Sequence, residues 1–354
     1  MTETLYPRAM ICDPATPGAL RLAGGWAWFA QVEIVSRTSP SEVIAATELP
    51  AVMLEALCAP RAPMAGLNFD APRIMGILNV TPDSFSDGGL FDAPKAALAH
   101  AAAMDAADIL DIGGESTRPG AVEVSIDDEI ARTAPIIKAL AAQGKSISID
   151  TRKSVVAQAA LAAGAQMVND ISGMNYDPEM ADFLSHSDIP ACLMHSQGQP
   201  ATMQLDPRYD NVLLDVYDAL EVIRDRALTA GVAAHNIMLD PGIGFGKTLA
   251  HNLALMRGLS LFHALGCPLL LGVSRKGFIG TLGHAPNPAD RAPGSLALGL
   301  QGVAQGVQVL RVHDVGQTAQ ALALWGATRE MGTSECHVNI LAPTACADVP
   351  TSIR

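Results

Sequence analysis

The sequence predicts an α/β chain that closes into a (β/α)8 barrel behind an N-terminal extension carrying a β-strand and a short helix. Three observations lead there. From about Arg73 onward, short β-rich apolar runs alternate with Ala/Leu-rich helical stretches, and such alternation implies a parallel sheet with right-handed crossovers. About eight strand–helix units fit the roughly 250 residues that follow, the span of a closed eight-unit barrel. Nearly every strand candidate ends in a polar or ionisable side chain, which is where such a barrel keeps its chemistry. Periodicity alone does not establish closure, and an open doubly wound sheet stands as the alternative.

In chain order, residues 1–70 stand outside the alternation. Trp26, Trp28, Ala30, Val32 and Ile34 recur at period two and predict one half-buried strand. Pro40 and Ser41 then read as the cap of a short helix ending near Leu57, and the Pro/Ala-rich stretch 59–63 as a linker. The extension is expected to be a hairpin plus a helix against the barrel wall. The barrel occupies 71–330, with strands at 73–81, 109–115, 146–151, 167–172, 190–195, 237–242, 268–274 and 309–314. Helical stretches fall at 94–107, 126–142, 153–163, 212–230, 249–265 and 316–328. The polar, helix-poor segment 331–354 reads as a flexible tail.

Composition narrows the classes of function. Of 354 residues, 49% are apolar and 17% charged, enough for a packed core and too apolar for disorder. Lys and Arg number 23 against 36 Asp and Glu, a formal charge of −13. With no cationic stripe, nucleic acid is not an expected partner. The longest charge-free stretch lies between Arg291 and Arg311 and is broken by Gly, Gln and Pro, so it reads as a packed helix entering a strand, not a membrane span. Six cysteines (Cys12, Cys58, Cys192, Cys267, Cys336 and Cys346) form no CxxC pair, and Glu3 stands where a signal peptide carries cations. The expected compartment is the cytoplasm.

The candidate site is the set of strand ends. They supply Asn79, then Asp111 and Glu115, Asp150, Asn169 and Asp170, His195, Asp240, Ser274-Arg275-Lys276, and finally Arg311 and His313. Taken singly, an Asp or Asn after a strand caps the next helix or starts a turn, and a His beside Met194 is ordinary core. Taken together in a closed barrel, they gather carboxylates, amides and cations around one mouth, suited to a small polar heterocycle with an anionic leaving group. The segment 241–248 ends like a phosphate-binding P-loop, but Pro241 stands where that motif needs Gly. Long Gly/Pro-rich loops at 81–92 and 116–125 are lid candidates. In the second, Thr117 and Arg118 face Arg311 and His313 as a diphosphate clamp with bidentate, charge-assisted bonds.

Two stretches, 77–89 (ILNVTPDSFSDGG) and 111–120 (DIGGESTRPG), resemble the signature blocks of the dihydropteroate synthases, pterin-binding TIM barrels. The resemblance runs on through 148–151, 168–171, 193–195, 240–242, 274–276 and 311–314, and covers about residues 73–330. It implies condensation of 6-hydroxymethyl-7,8-dihydropterin diphosphate with 4-aminobenzoate, with Mg2+ as cofactor. The matched pterin pocket is Asp150, Asn169, Asp240 and Lys276. The diphosphate falls to Asn79, which also holds the metal, with Thr117, Arg118, Arg311 and His313. Asp111 and Asp150, with Lys276 and Arg311, are the implied catalytic groups, because the C–O bond breaks ahead of amine attack and leaves a cation on the pterin. No histidine is assigned as a base, since an aryl amine is neutral at pH 7.

The implied aminobenzoate pocket is Thr117, Pro119, Phe245, Lys276 and Gly277. Here the chain departs from the pattern: many relatives carry Ser where Gly277 stands, and Phe is common where Ile243 stands. Backbone N–H groups after Lys276 are the expected substitute for the missing hydroxyl. A homodimer is implied by analogy, and the Ala/Gly-rich segment 294–309 suits either close helix contact between copies or a plain core helix. Two rivals remain: a pterin barrel that passes a methyl group to a corrinoid protein, and a silent paralogue that binds without turnover. The first has no use for the diphosphate clamp.

Overall fold

The computed structural model of the protein describes residues 5–81, 93–116, 123–198 and 202–329. Thr117, Arg118 and Pro119, most of the first lid candidate and the expected tail lie outside the described residues.

The extension is richer than a hairpin plus helix. Strands β1 (Tyr6–Cys12), β2 (Leu20–Arg21), β3 (Trp28–Val35) and β4 (Glu42–Ala45) form a four-stranded antiparallel sheet, followed by helix α1 (Ala51–Cys58). The expected strand is β3. The expected helix start at Pro40–Ser41 is corrected: Val43 and Ile44 are β-branched and pair with Glu33 and Val32 of β3, so the helix begins only after Pro50. The sheet is tied to the barrel wall. Trp26 Nε1 donates to the Val303 carbonyl at 2.7 Å, Ser260 Oγ to the Ala9 carbonyl at 2.8 Å, and Arg61 to the His263 carbonyl at 3.0 Å. Arg37 pairs with Asp215 at 2.6 Å and Asp218 at 2.7 Å.

Eight parallel strands follow: β5 (Arg73–Asn79), β6 (Ile109–Gly113), β7 (Ile147–Asp150), β8 (Met167–Asp170), β9 (Ala191–Met194), β10 (Ile237–Asp240), β11 (Leu270–Leu271) and β12 (Val309–Val312). Their order is β10-β9-β8-β7-β6-β5-β12-β11, and a parallel bridge between Leu239 and Leu269 joins β10 to β11. The ring is thus closed, and the open sheet is excluded. The strands are short and almost wholly buried, as expected where both faces are covered. Around them run α2 (Ala93–Ala102), α3 (Ile126–Ala141), α4 (Ser154–Ala163), α5 (Met180–Ser187), α6 (Val212–Ala230), α7 (Leu249–Arg257), α8 (Gly277–Leu282), α9 (Ala292–Ala304) and α10 (Val315–Ala327). Ser125 caps α3, accepting from the Asp128 N–H at 3.1 Å, and Asn211 caps α6.

The helix expected over 249–265 is two pieces. It breaks at Gly258, where a Cβ would stand 2.6 Å from Leu213, and continues as a 3-10 helix over Leu259–Leu265. Helix α5 was not expected; it is short and rich in Asp, Ser and His. In α9, added Cβ atoms on Gly294 and Gly302 would stand 2.4 Å from Ile279 and Leu271, so its small residues serve this chain's own core.

The linker expected at 59–63 leads into a plug. Met64, Leu67 and Phe69 pack with Met75, Ile109, Met167, Met238, Leu270 and Val309, which line the barrel near the strand starts. That floor leaves the opposite end, where the strands finish, as the open mouth.

Candidate active site

The mouth is built from side chains that strand parity turns inward. Arg311 on β12 reaches across it, donating from Nε to Asp111 Oδ2 and from Nη2 to Asp150 Oδ2, both at 2.6 Å. Asn169 Nδ2 donates to the same Asp111 oxygen at 2.9 Å. Four strands, β6, β7, β8 and β12, therefore meet in one bonded cluster of two carboxylates, an amide and a guanidinium. Asp111 is fully buried and Asp150 is 9% exposed. Burial pushes the Asp150 carboxyl up and the guanidinium pulls it back. Asp111 Oδ1 is buried without a hydrogen-bond partner among the described residues, so this carboxylate keeps unused accepting capacity.

Asp240 ends β10 and Lys276 begins the turn into α8. Asp240 Oδ1 accepts from the Gly242 N–H at 2.7 Å, and burial raises its carboxyl. Lys276 is pushed down to about 8, chiefly by burial, with Asp240 acting in the opposite sense. Its Nζ stands 4.1 Å from the Phe245 ring centroid, a cation–π contact that pins ring and ammonium together. Asp150 and Arg311 both act electrostatically on Lys276, which joins the pair to the cluster across the mouth. His313 is pushed down to about 4, by burial first and then by Arg275 and Arg311. It is neutral at pH 7, with Nδ1 3.0 Å from Ser274 Oγ.

Asn79 ends β5. A Cβ built on Gly113 would stand 3.4 Å from Asn79 Oδ1 and 3.6 Å from Asp150 Oδ2. The missing side chain at Gly113 thus leaves a small cradle flanked by two oxygen donors. Among the described residues, no group of three or more His, Cys, Asp or Glu is placed to hold a metal.

Several strand-end residues do not join the mouth. Asp170 is spent on its own turn, accepting from Ser172 N–H at 2.8 Å, Ser172 Oγ at 2.7 Å and Met174 N–H at 2.6 Å. Glu115 lies in an ion-pair network with Arg152 at 3.2 Å and Lys153 at 3.4 Å. His195 turns to Lys247, with Nδ1 3.0 Å from its Nζ. Arg275 forks Asp314, Nε to Oδ2 at 3.0 Å and Nη2 to Oδ1 at 2.5 Å. This clamp, like Lys247, was not foreseen, although the near P-loop pointed at Lys247.

The Gly-rich segment 241–248 is no phosphate cradle. Gly242, Gly244 and Gly246 all take positive φ, at 68°, 84° and 61°. A Cβ on Gly242 would fall 1.9 Å from the His195 carbonyl oxygen, and one on Gly246 2.4 Å from that of Gln197. The glycines let this loop lie directly on the backbone after β9.

A closed barrel with a bonded carboxylate, amide and guanidinium cluster at its mouth defines an enzyme for a small, polar, hydrogen-bonding ring. Residues 75–313 match the family model described as pterin binding enzyme. The dihydropteroate synthase of Neisseria meningitidis serogroup B is 47% identical over 268 residues, 74% of this chain and 94% of that protein. The structure of Xanthomonas albilineans dihydropteroate synthase with 4-aminobenzoic acid aligns with a TM-score of 0.71 at 43% identity, covering 76% of this chain and 97% of that one. The same enzyme in complex with 7,8-dihydropteroate aligns at 0.69 with 41% identity, covering 76% and 98%. The chain belongs to the pterin-binding enzymes, among the dihydropteroate synthases.

Proposed function

We infer that the chain condenses 6-hydroxymethyl-7,8-dihydropterin diphosphate with 4-aminobenzoate, forming 7,8-dihydropteroate and pyrophosphate in folate synthesis. The observation that carries this reading is the bonded cluster of Arg311, Asp111, Asp150 and Asn169 facing Asp240 and Lys276, in a barrel whose relatives bear that name.

The residues divide the work as follows. Asp240 accepts from the 2-amino and N3–H edge of the pterin, and Lys276 donates to its carbonyl. Asn169 has its amide nitrogen engaged by Asp111, so its oxygen is the group offered to a pterin N–H. A pocket built on such bonds rejects rings that lack the matching edge. When the C–O bond breaks, its electron pair leaves with pyrophosphate and a cation spreads over the pterin. Asp111 and Asp150 supply the negative charge that stabilises that cation. The amine lone pair then forms the C–N bond, and the nitrogen loses its extra proton to solvent. Arg311 meets the leaving anion while its other nitrogens stay fixed to the two carboxylates. His313, being neutral, serves as a hydrogen-bond partner of the diphosphate, not as a charge.

Thr117 and Arg118 complete the diphosphate site on the strength of the sequence. Thr117, Pro119, Phe245, Lys276 and Gly277 form the aminobenzoate pocket, in which the Phe245 ring is the apolar wall. The cradle between Asn79 and Asp150 offers hard oxygen donors without an acidic cage, which suits Mg2+ shared with substrate phosphates. Asn79 would hold the ion. When bound, Mg2+ neutralises charge on the departing pyrophosphate.

The test is pyrophosphate release with both substrates and Mg2+. Release that requires all three supports the reading, and its absence refutes it. Lys276→Ala should lose pterin affinity, whereas Arg311→Ala should chiefly lose turnover. A cytoplasmic homodimer belongs to the same proposal. No helix among the described residues is long and apolar enough to cross a membrane, and light scattering should give about twice the 36.9 kDa chain mass.

A further inference from the structure

The lysine that made 241–248 look like a phosphate loop does not face the mouth as a phosphate ligand does. Lys247 is 3% exposed. Its Nζ lies 3.0 Å from His195 Nδ1 and 3.0 Å from the Phe245 carbonyl oxygen. No carboxylate among the described residues lies within ion-pair distance of it, so its near neighbours are neutral acceptors. Burying an ammonium in this way is costly. Its charge is correspondingly destabilised, and burial brings it down to about 7. One of its two bonds goes to the Phe245 peptide and the other to the residue that follows β9.

That peptide sits in a loop with no ladder or helix to hold it. The Phe245 N–H donates to the Gly242 carbonyl at 3.1 Å within the turn, and side chains hold the rest: the Gly244 N–H by Asn252 Oδ1 at 2.7 Å, the Gly246 carbonyl by Tyr209 at 2.9 Å, and the Phe245 carbonyl by Lys247. His195 stands at the end of β9, so Lys247 bridges the barrel frame to the one residue of the loop whose ring faces the Lys276 ammonium.

We infer that Lys247 and His195 are a positioning pair that sets the Phe245 ring as the wall of the arylamine pocket, and so determine affinity for a flat aromatic amine without touching it. This rests on the condensation proposed above and assigns that site two further residues. In Lys247→Met, which keeps the chain length and removes the donor, the KM for 4-aminobenzoate should rise about tenfold or more while that for the pterin diphosphate stays within about twofold. His195→Leu should copy this split. His195→Asn, which can place an acceptor near the Nδ1 position, should bring the aminobenzoate KM back to within about threefold of the parent. Melting by circular dichroism is run on every variant; should Lys247→Met not fold, the Leu and Asn variants of His195 decide. The inference is overturned if both KM values move together, if only the melting temperature changes, or if His195→Asn behaves as His195→Leu does. A parent protein that releases no pyrophosphate refutes the condensation itself and this inference with it; an active parent with unsplit variants refutes the positioning pair alone.

Discussion

Removing the guanidinium that bridges the mouth should destabilise the barrel in a way that acid repairs. Arg311→Met deletes two charge-assisted bonds of 2.6 Å and leaves Asp111 and Asp150, 0% and 9% exposed, facing each other with only Lys276, beyond ion-pair distance, as a remaining cation. Breaking a buried ion pair by taking one partner away costs about 3–5 kcal/mol. Asp111 keeps its bond from Asn169, so the lower end, about 3 kcal/mol, is expected near pH 8. Two like charges in that space raise the carboxyl pKa further in the folded variant than in the unfolded chain. The folded variant therefore binds more protons, and its stability relative to the parent rises as pH falls. Each pH unit below the raised value recovers up to about 1.4 kcal/mol. Urea unfolding followed by circular dichroism, parent against variant, at about pH 8 and about pH 5.5 reads the difference directly. Adding Asp150→Asn to Arg311→Met should recover most of the loss at the higher pH. A deficit below about 1 kcal/mol at the higher pH, or one equal at both, would show that the cluster is not the buried, mutually dependent unit described.

Other expectations follow from single positions. Gly242→Ala should cost more than about 3 kcal/mol or prevent folding, because positive φ and a 1.9 Å approach to the His195 oxygen act together. At Gly277 a Cβ meets nothing within 4 Å, so Gly277→Ser should leave urea stability within about 0.5 kcal/mol. The same change should tighten 4-aminobenzoate about threefold to tenfold by titration, through one added hydrogen bond; weaker binding would contradict the pocket. Trp26→Phe removes one bond to the Val303 carbonyl, which keeps the Gly306 N–H at 2.9 Å, and should cost about 0.5–1.5 kcal/mol in unfolding measurements with turnover unchanged. His263 is pushed down to about 3 by burial and His313 to about 4. Both folded values lie below the unfolded one, so the unfolded chain takes up protons first and stability should fall as pH drops from about 6.5 toward 4, by up to about 1.4 kcal/mol per unit for each His. In His263→Gln the slope should be shallower, and an unchanged slope would locate the effect elsewhere.

The barrel and much of its mouth were legible because both obey short periods. Apolar runs followed by helical stretches mark the strands, and parity puts Asp111 and Asp150 on inward faces with Arg311. Parity also explains an error. Asn169 and Asp170 are neighbours on one strand and point to opposite faces, so only Asn169 could reach the mouth, and Asp170 was free to serve its turn. Glu115 shares the parity of Asp111 but lies beyond the end of β6, where the chain no longer alternates. The extension was half read because its pairing is long-range. Tyr6 opposes Val35 and Val32 opposes Ile44, and nothing local around Pro40 distinguishes a strand from a capped helix. The role of Lys247 was hidden for the same reason: its burial depends on the passage of residues 195–197 beneath the glycines, some fifty positions away in the chain.

The stopper formed by Met64, Leu67 and Phe69 has a consequence for how the enzyme can be shortened. A chain beginning at Ala71 would keep every residue of the mouth yet lose its cork. Water would then enter from beneath and wet a lining rich in sulfur, Met75, Met167 and Met238 beside Cys192. Thioethers and thiols brought into aerated solvent oxidise to polar groups that do not return to an apolar floor. Such a truncated protein should therefore age in storage, gaining oxygen mass at those side chains while its substrate-facing rim stays chemically intact.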